Sequence, residues 1–340
     1  MVEMNKSSRL TSAEISNLWN TYMNDSLNIC IVTHFLQTVE DSDVKPLLEE
    51  TISVAQGHLL EIGKIFEQEG IPKPVGFPVE KHVKLSAPRL FTDVFYMAYL
   101  LHMSKFGMTA HAGGITLACR KDIHDLFHNY VEEAISLNGA TREVMKEKGV
   151  FIRPPYMDYP KETEFVKEQK FLTGWFGHKR SLLALEASHL YMTSLNNELG
   201  KDVLLGFSQV AKDVELKKHF IRGTKLTSDI LYNTHGMLHE SDIPASMTWD
   251  TCVTDSTVAP YSDQVMLCFV NALCALGVAT YGSAMSLSIR HDLAALYSKF
   301  ILKAGAYAED GANMLIERSW MEKPPQFIDR DKLIRENTES

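Results

Sequence analysis

The chain repeats itself. Shifted by 170 residues, FTDVFYMAYLLHMSKFG (from Phe91) lies over YSDQVMLCFVNALCALG (from Tyr261), setting Asp93 on Asp263 and Gly107 on Gly277. The register continues without a gap through RKDIHDLF (from Arg120) over RHDLAALY (from Arg290), then Ala134 over Ala304 and Pro154-Pro155 over Pro324-Pro325. Nearer the N-terminus the offset is 172, pairing Glu14 with Glu186, Trp19 with Tyr191, Phe35 with Phe207 and Ile71-Pro72 with Ile243-Pro244. The two-residue change falls between Pro72 and Phe91, where a loop is expected. A fixed internal period means one structural unit used twice.

Each unit reads as four helices. In the first, apolar residues at three- and four-residue spacing run from Thr11, with Thr11 or Ser12 as N-cap. A second helix opens at Asp41 or Ser42 and runs to Gly70, a C-cap position ahead of Ile71-Pro72. A third is expected from about Pro88 to Ala118, and a fourth from Arg120 to Gly149. Strand patterns are nearly absent. Short connections join first to second and third to fourth helix, so each pair forms an antiparallel hairpin. Between the hairpins lies GIPKPVGFPVEKHVKLSAP, too Pro-rich for a helix and, at roughly 3.3 Å per extended residue, able to span a helix length. SDIPASMTWDTCVTDSTVAP takes that place in the second unit. One long crossover between two hairpins is ferritin-like connectivity. The expected architecture is all-α: two ferritin-like four-helix bundles in tandem, at residues 8–155 and 182–325. Residues 156–181 form an aromatic linker, its Tyr156, Tyr159, Phe165, Phe171, Trp175 and Phe176 available to pack on the bundles. A charged tail, 326–340, is expected to fray.

The chemistry usual for this fold is a pair of metal ions held by a Glu from each of two helices and a Glu-x-x-His from each of the others. Neither third helix can contribute: no acid lies between Asp93 and Asp122, or between Asp263 and Asp292. The first helix of repeat one offers only Asp25 in its interior. Histidines at chelating spacing do occur, at His124, His128 and Glu132, at His235 and His239, and at Glu186 and His189. The other copy has Ala294, Ser298 and Asn17 at the places of His124, His128 and His189, so these are read as surface or core histidines. No nucleotide loop or nucleophile elbow occurs. No catalytic residue, cofactor or metal is assigned; the expected role is structural or in assembly, and the alternative is a metal- or small-molecule-binding, redox-active protein using an irregular site built from these histidines.

What the copies share is structural. Arg120 and Asp122 recur as Arg290 and Asp292 at the start of the last helix. The aspartates suit the positive end of the helix dipole; the arginines do not, and each requires a carboxylate or carbonyl partner, with the interface between repeats one place for it. Gly107 and Gly277 sit among small residues that permit close helix packing.

A net charge of −9 without a basic cluster argues against nucleic acid as a partner. The five cysteines, odd in number and without CxxC spacing, fit free thiols in a reducing compartment. With a polar N-terminus lacking a signal-peptide core, the expected location is the cytoplasm. Gln264 to Ile289 carries no formal charge and exceeds a bilayer span, but its counterpart holds His102, Lys105 and His111, so a helix buried by its neighbours is expected and a membrane span is not. Protein partners or self-association through helical surfaces remain.

The stretch AYAEDGANMLIERSWMEKPP (Ala306 to Pro325), with SLSIRHDLAALY upstream, resembles the DUF3231 family of spore-forming bacilli, itself similar to spore coat protein F and often carrying two copies of the domain. In repeat one the signature has drifted to LNGATREVMKEKGVFIRPP. The resemblance implies a ferritin-like bundle and an association with the spore coat or sporulation; it supplies no catalytic residues.

Overall fold

The computed structural model describes residues 8–175, 179–245 and 252–338. Phe176 and the middle of the second crossover lie outside the described residues. The chain is all-helical. The first repeat holds α1 (Ser12–Thr38), α2 (Lys45–Gln68), a single turn α3 (Val79–His82), α4 (Asp93–Leu117) and α5 (Lys121–Glu147). The second holds α6 (Ala184–Val210), α7 (Val214–His239), α8 (Asp263–Leu287) and α9 (His291–Glu317), followed by a short α10 (Arg330–Thr338).

Local chemistry sets the ends. Thr11 caps α1 in a capping box with Glu14. The chain leaves α2 through Gly70 at φ 68° and leaves α5 through Gly149 at φ 70°, a left-handed conformation that a Cβ would disfavour. Asp93 and Asp263, matched between the copies, do the same work. Asp93 accepts the backbone N–H groups of Glu40 and Asp41 at 3.4 and 3.1 Å, and Asp263 those of Lys212 and Asp213 at 3.5 and 3.3 Å. Each carboxylate thus ties the turn between the first two helices to the start of the third.

Four helix pairs dominate the packing: α1 with α2, α4 with α5, α6 with α7, α8 with α9. Within the first repeat α1 also meets α4 and α2 meets α5; in the second, α6 meets α8 and α7 meets α9. Between the repeats α1 meets α8 and α4 meets α6, the same relation with the copies exchanged.

The third helix starts at Asp93 rather than Pro88, because the end of the crossover is used for pairing. Val83 bridges Tyr261, and Phe91 bridges Val253. Lys84 N donates to Pro260 O at 2.8 Å and Thr254 N to Leu90 O at 3.0 Å. Ser262 N donates to His82 O at 2.8 Å and Thr92 N to Cys252 O at 3.0 Å. Exchanging the copies, by adding 170 to the first-repeat residue and subtracting 170 from the second-repeat residue, turns one bond of each pair into the other, so the two crossovers meet across a pseudo-twofold axis. The 170 register therefore extends back to His82, and the two-residue change lies between Pro72 and His82.

One large apolar cluster runs through this junction, joining Phe35, Phe91, Phe95 and Tyr99 of the first repeat to Phe207, Phe220, Tyr261 and Phe269 of the second. Smaller clusters lie at the far end of each repeat, around Phe66 and Phe127 in one and Leu293 and Phe300 in the other. The principal core is shared between the copies, which makes each repeat's apolar surface the other's cover.

Two expectations are revised. Tyr156, Tyr159 and Phe165 are 86%, 91% and 83% exposed and do not anchor the connecting segment; Lys, Glu and Asp on either side of them keep that stretch in water. Phe171 does pack, beneath the Arg180 guanidinium at 4.4 Å. Residues 330–338 form α10 rather than a frayed tail, its start capped by Asp329, which accepts the Lys332 N–H at 3.0 Å. Among the described residues α8 is the one helix long and apolar enough to cross a membrane. Its first half is buried, through Val265, Met266, Phe269 and Val270, while Ala275 and Ala279 further along are exposed.

Candidate functional site

The polar centre of the first repeat is built from three helices. Asp25 projects from α1, His58 from α2 and Glu133 from α5. His58 is 5% exposed, and both ring nitrogens are engaged: Nδ1 lies 2.8 Å from Asp25 Oδ2 and Nε2 2.7 Å from Glu133 Oε2. The ring stacks on Tyr130 at 3.6 Å between centroids, and Tyr130 donates its hydroxyl to Glu61 at 3.0 Å. His111 from α4 stands edge-on to His58 at 5.9 Å.

Burial lowers the proton affinity of His58, but hydrogen bonds and charge from Asp25 and Glu133 outweigh it and push the pKa up to about 9. At neutral pH His58 is an imidazolium donating to two carboxylates. His111 goes the other way: burial first, then the His58 charge, hold it below the usual imidazole range, although Asp25 and Glu133 pull upward. A cavity of about 90 Å³ adjoins these groups. Among the described residues no three His, Cys, Asp or Glu side chains are placed to hold a metal ion. The His58 ring occupies the place between the carboxylates, with one nitrogen toward each.

In the second repeat the corresponding positions are Asn197, Ile230 and Lys303, with Tyr281 at the place of His111 and Phe300 at that of Tyr130. Tyr281 donates to Asn197 at 3.0 Å inside an apolar surround. Lys303 turns outward to Asp229 at 2.6 Å. A cavity of about 70 Å³ adjoins Asn197, Ile230 and Tyr281 in this copy, walled mainly by apolar side chains.

His58 and Glu133 escape a reading by motif because they stand on different helices and neither belongs to a Glu-x-x-His. The signal available in the sequence is the comparison of copies: acid, histidine and acid against amide, isoleucine and lysine.

The Arg-x-Asp helix starts form a second polar construction in each repeat. Arg120 donates Nε and Nη2 to Asp122 at 3.0 and 2.6 Å, and Nη1 to Glu69 at 2.5 Å. Glu14 reaches over from α1 and accepts the backbone N–H groups of Cys119 and Arg120 at 2.9 and 2.8 Å, satisfying orphan donors at the start of α5. Burial works against the Glu14 charge, but bonds from Thr11 and these backbone donors hold its pKa below the carboxylate range. Arg290 pairs with Asp292 in the same bidentate way, at 2.8 and 3.0 Å, and also reaches Arg180 O at 3.0 Å. Glu186 accepts the Arg290 N–H at 3.2 Å and two bonds from Arg180 at 2.7 and 2.8 Å. The partners of both arginines lie within their own half of the chain, not across the repeat interface.

A Cβ at Gly107 would meet Ala134 at 3.4 Å, and one at Gly277 the Tyr281 ring at 3.6 Å, both ordinary contacts. Tighter approaches fall at Gly114 on Phe127 and at Gly206 on Phe91 across the repeats, each at 2.7 Å. The histidines at chelating spacing are not gathered into a site. His124 and His128 are exposed along α5, with His124 3.5 Å from Asp125. His235 is half-buried and His239 exposed on α7, and Glu186 is committed to Arg180.

Comparison with known proteins agrees with the duplication. The family described as "Protein of unknown function (DUF3231)" matches twice, over residues 2–163 and 170–333. No curated protein matches the chain. A Bacillus halodurans protein, provisionally described as a spore coat protein, is similar in crystal structure at 20% identity and a TM-score of 0.40; the match covers 45% of this chain and 98% of that one.

Proposed function

This chain belongs to the DUF3231 family, and we propose that it is a non-catalytic structural or assembly protein of the spore coat or of sporulation, built as two ferritin-like units. The observation that carries this reading is the state of the two centres. In one, both carboxylates nearest the middle are held by the His58 imidazolium; in the other the same positions are amide, aliphatic and an outward lysine. Neither copy presents, among the described residues, the carboxylate and histidine set with which this architecture holds metal ions.

The ferritin-like description rests on two hairpins per repeat joined by a long crossover, and on the contacts of α1 with α4 and α2 with α5. The spore-coat assignment comes from the family resemblance carried by the Ala306–Pro325 signature. Protein contacts through helical surfaces are supported by large apolar side chains on the outer faces of the second repeat, Tyr232 on α7 at 81% exposure and Leu302 on α9 at 74%.

Following a tagged, complementing copy through sporulation tests the proposal. Accumulation around the developing spore and recovery in a washed coat extract is the expected result. Uniform cytoplasmic signal throughout, with none in the coat extract, overturns it.

A further inference from the structure

A second cavity, of about 220 Å³, lies where α4 and α5 of the first repeat face α6 of the second. Three basic side chains meet there: His102 and Lys105 from α4 and Arg142 from α5, with Asn196 of α6 opposite. No carboxylate lines the cavity among the described residues, and the charged group acting on half-buried Lys105 is Arg142, a like charge. The rest of the wall is apolar, with Leu101, Phe151 and Leu195 on three sides.

This arrangement costs stability as it stands. Burial, then Arg142, hold Lys105 below the usual amine range, and burial, then Lys105, push His102 down to about 4 against its hydrogen bond to Asn196. Arg142 stands at the mouth, 5.4 Å above the Phe151 ring, which fixes its plane. The arrangement belongs to one copy only. By the repeat register the matching residues are Ala272, Ala275 and Ala312, and the related groove between α1, α4 and α8 carries Ala272 and Ala275 in its wall. The related groove, of about 520 Å³, has alanines where the first cavity has His102 and Lys105, so the repeats meet there without those basic groups.

We propose that this cavity binds a small amphipathic anion, a carboxylate with a short hydrocarbon tail, its head between Lys105 and Arg142 and its tail along Leu101 and Leu195. An anion here neutralises two facing cations and receives charge-assisted hydrogen bonds, while the tail fills apolar space. The site lies apart from the Asp25–His58–Glu133 cluster and does not depend on the structural role of the chain.

Calorimetric titration of the full chain with decanoate, decanol and inorganic phosphate tests the assignment. Decanoate is expected to bind saturably, about one per chain, with decanol and phosphate each weaker by about tenfold or more, the scale of one charge-assisted hydrogen bond. Lys105→Met with Arg142→Gln is expected to weaken decanoate by at least about tenfold and leave decanol unchanged; retained decanol binding also reports that the variant is folded. Absence of saturable decanoate binding overturns the proposal. So does unchanged decanoate affinity in the variant, or phosphate binding as tight as decanoate.

Discussion

The charged centre of the first repeat makes stability depend on pH in a definite direction. His58 titrates at about 9 in the folded chain and at its ordinary 6.5 in the unfolded one. A pKa raised on folding stabilises the native state fully below 6.5, and that contribution disappears as pH rises through 9. The difference corresponds to about 3 kcal/mol, taken at about 1.4 kcal/mol per tenfold change in proton affinity. His58 is 5% exposed, so solvent screening takes little from this figure. The control replaces the two buried members with the residues of the other copy, as Asp25→Asn with His58→Ile; Glu133, its side chain 42% exposed, can turn to water. Urea unfolding of both proteins at pH 6, 7.5 and 9 reads the effect. The wild type should lose about 3 kcal/mol more than the variant between the lowest and highest pH. Equal slopes for the two proteins would show that His58 is not an imidazolium between two carboxylates.

Other consequences follow from single contacts. Arg290→Ala leaves Asp292, 6% exposed, without its bidentate partner and is expected to cost about 3–5 kcal/mol, whereas Arg120→Ala leaves Asp122 at 46% exposure and costs about 1 kcal/mol; thermal melts of the two variants should differ accordingly. Gly206→Ala drives a methyl into the Phe91 ring across the repeats and is expected to destabilise by about 1–3 kcal/mol in urea unfolding. Asp93→Ala removes the acceptor for two backbone N–H groups and should lower stability by about 1–2 kcal/mol, as should Asp263→Ala in the second copy. Under native alkylation followed by mass spectrometry Cys119, which is exposed, should label first; burial pushes the Cys268 and Cys274 thiols up to about 12, leaving them slow.

Features governed by neighbours in sequence were legible without a structure. The Thr11 cap, the Gly70 exit, the hairpin pairing and the change of register are local or repeat-based, and each depends on residue type at a known position. The matched Asp93 and Asp263 were visible as a pair, but their role was not, because their ligands are backbone N–H groups that carry no sequence identity. The pairing of the two crossovers escaped for the same reason, and with it the fact that the main core lies between the repeats. His58 and Glu133 are 75 residues apart in sequence; only the helix packing brings them together. The exposed aromatics of the connecting segment show the reverse error, apolar residue type read as burial where flanking charges keep the chain in water.

With Asp25 and Glu133 held by His58 in one centre, and an amide, an isoleucine and an outward lysine in the other, neither centre is expected to bind a transition metal. Elemental analysis of protein purified without chelators reads this. No stoichiometric transition metal is the predicted result; one or more iron, manganese or zinc ions per chain, lost on replacing Asp25, His58 or Glu133, would contradict it.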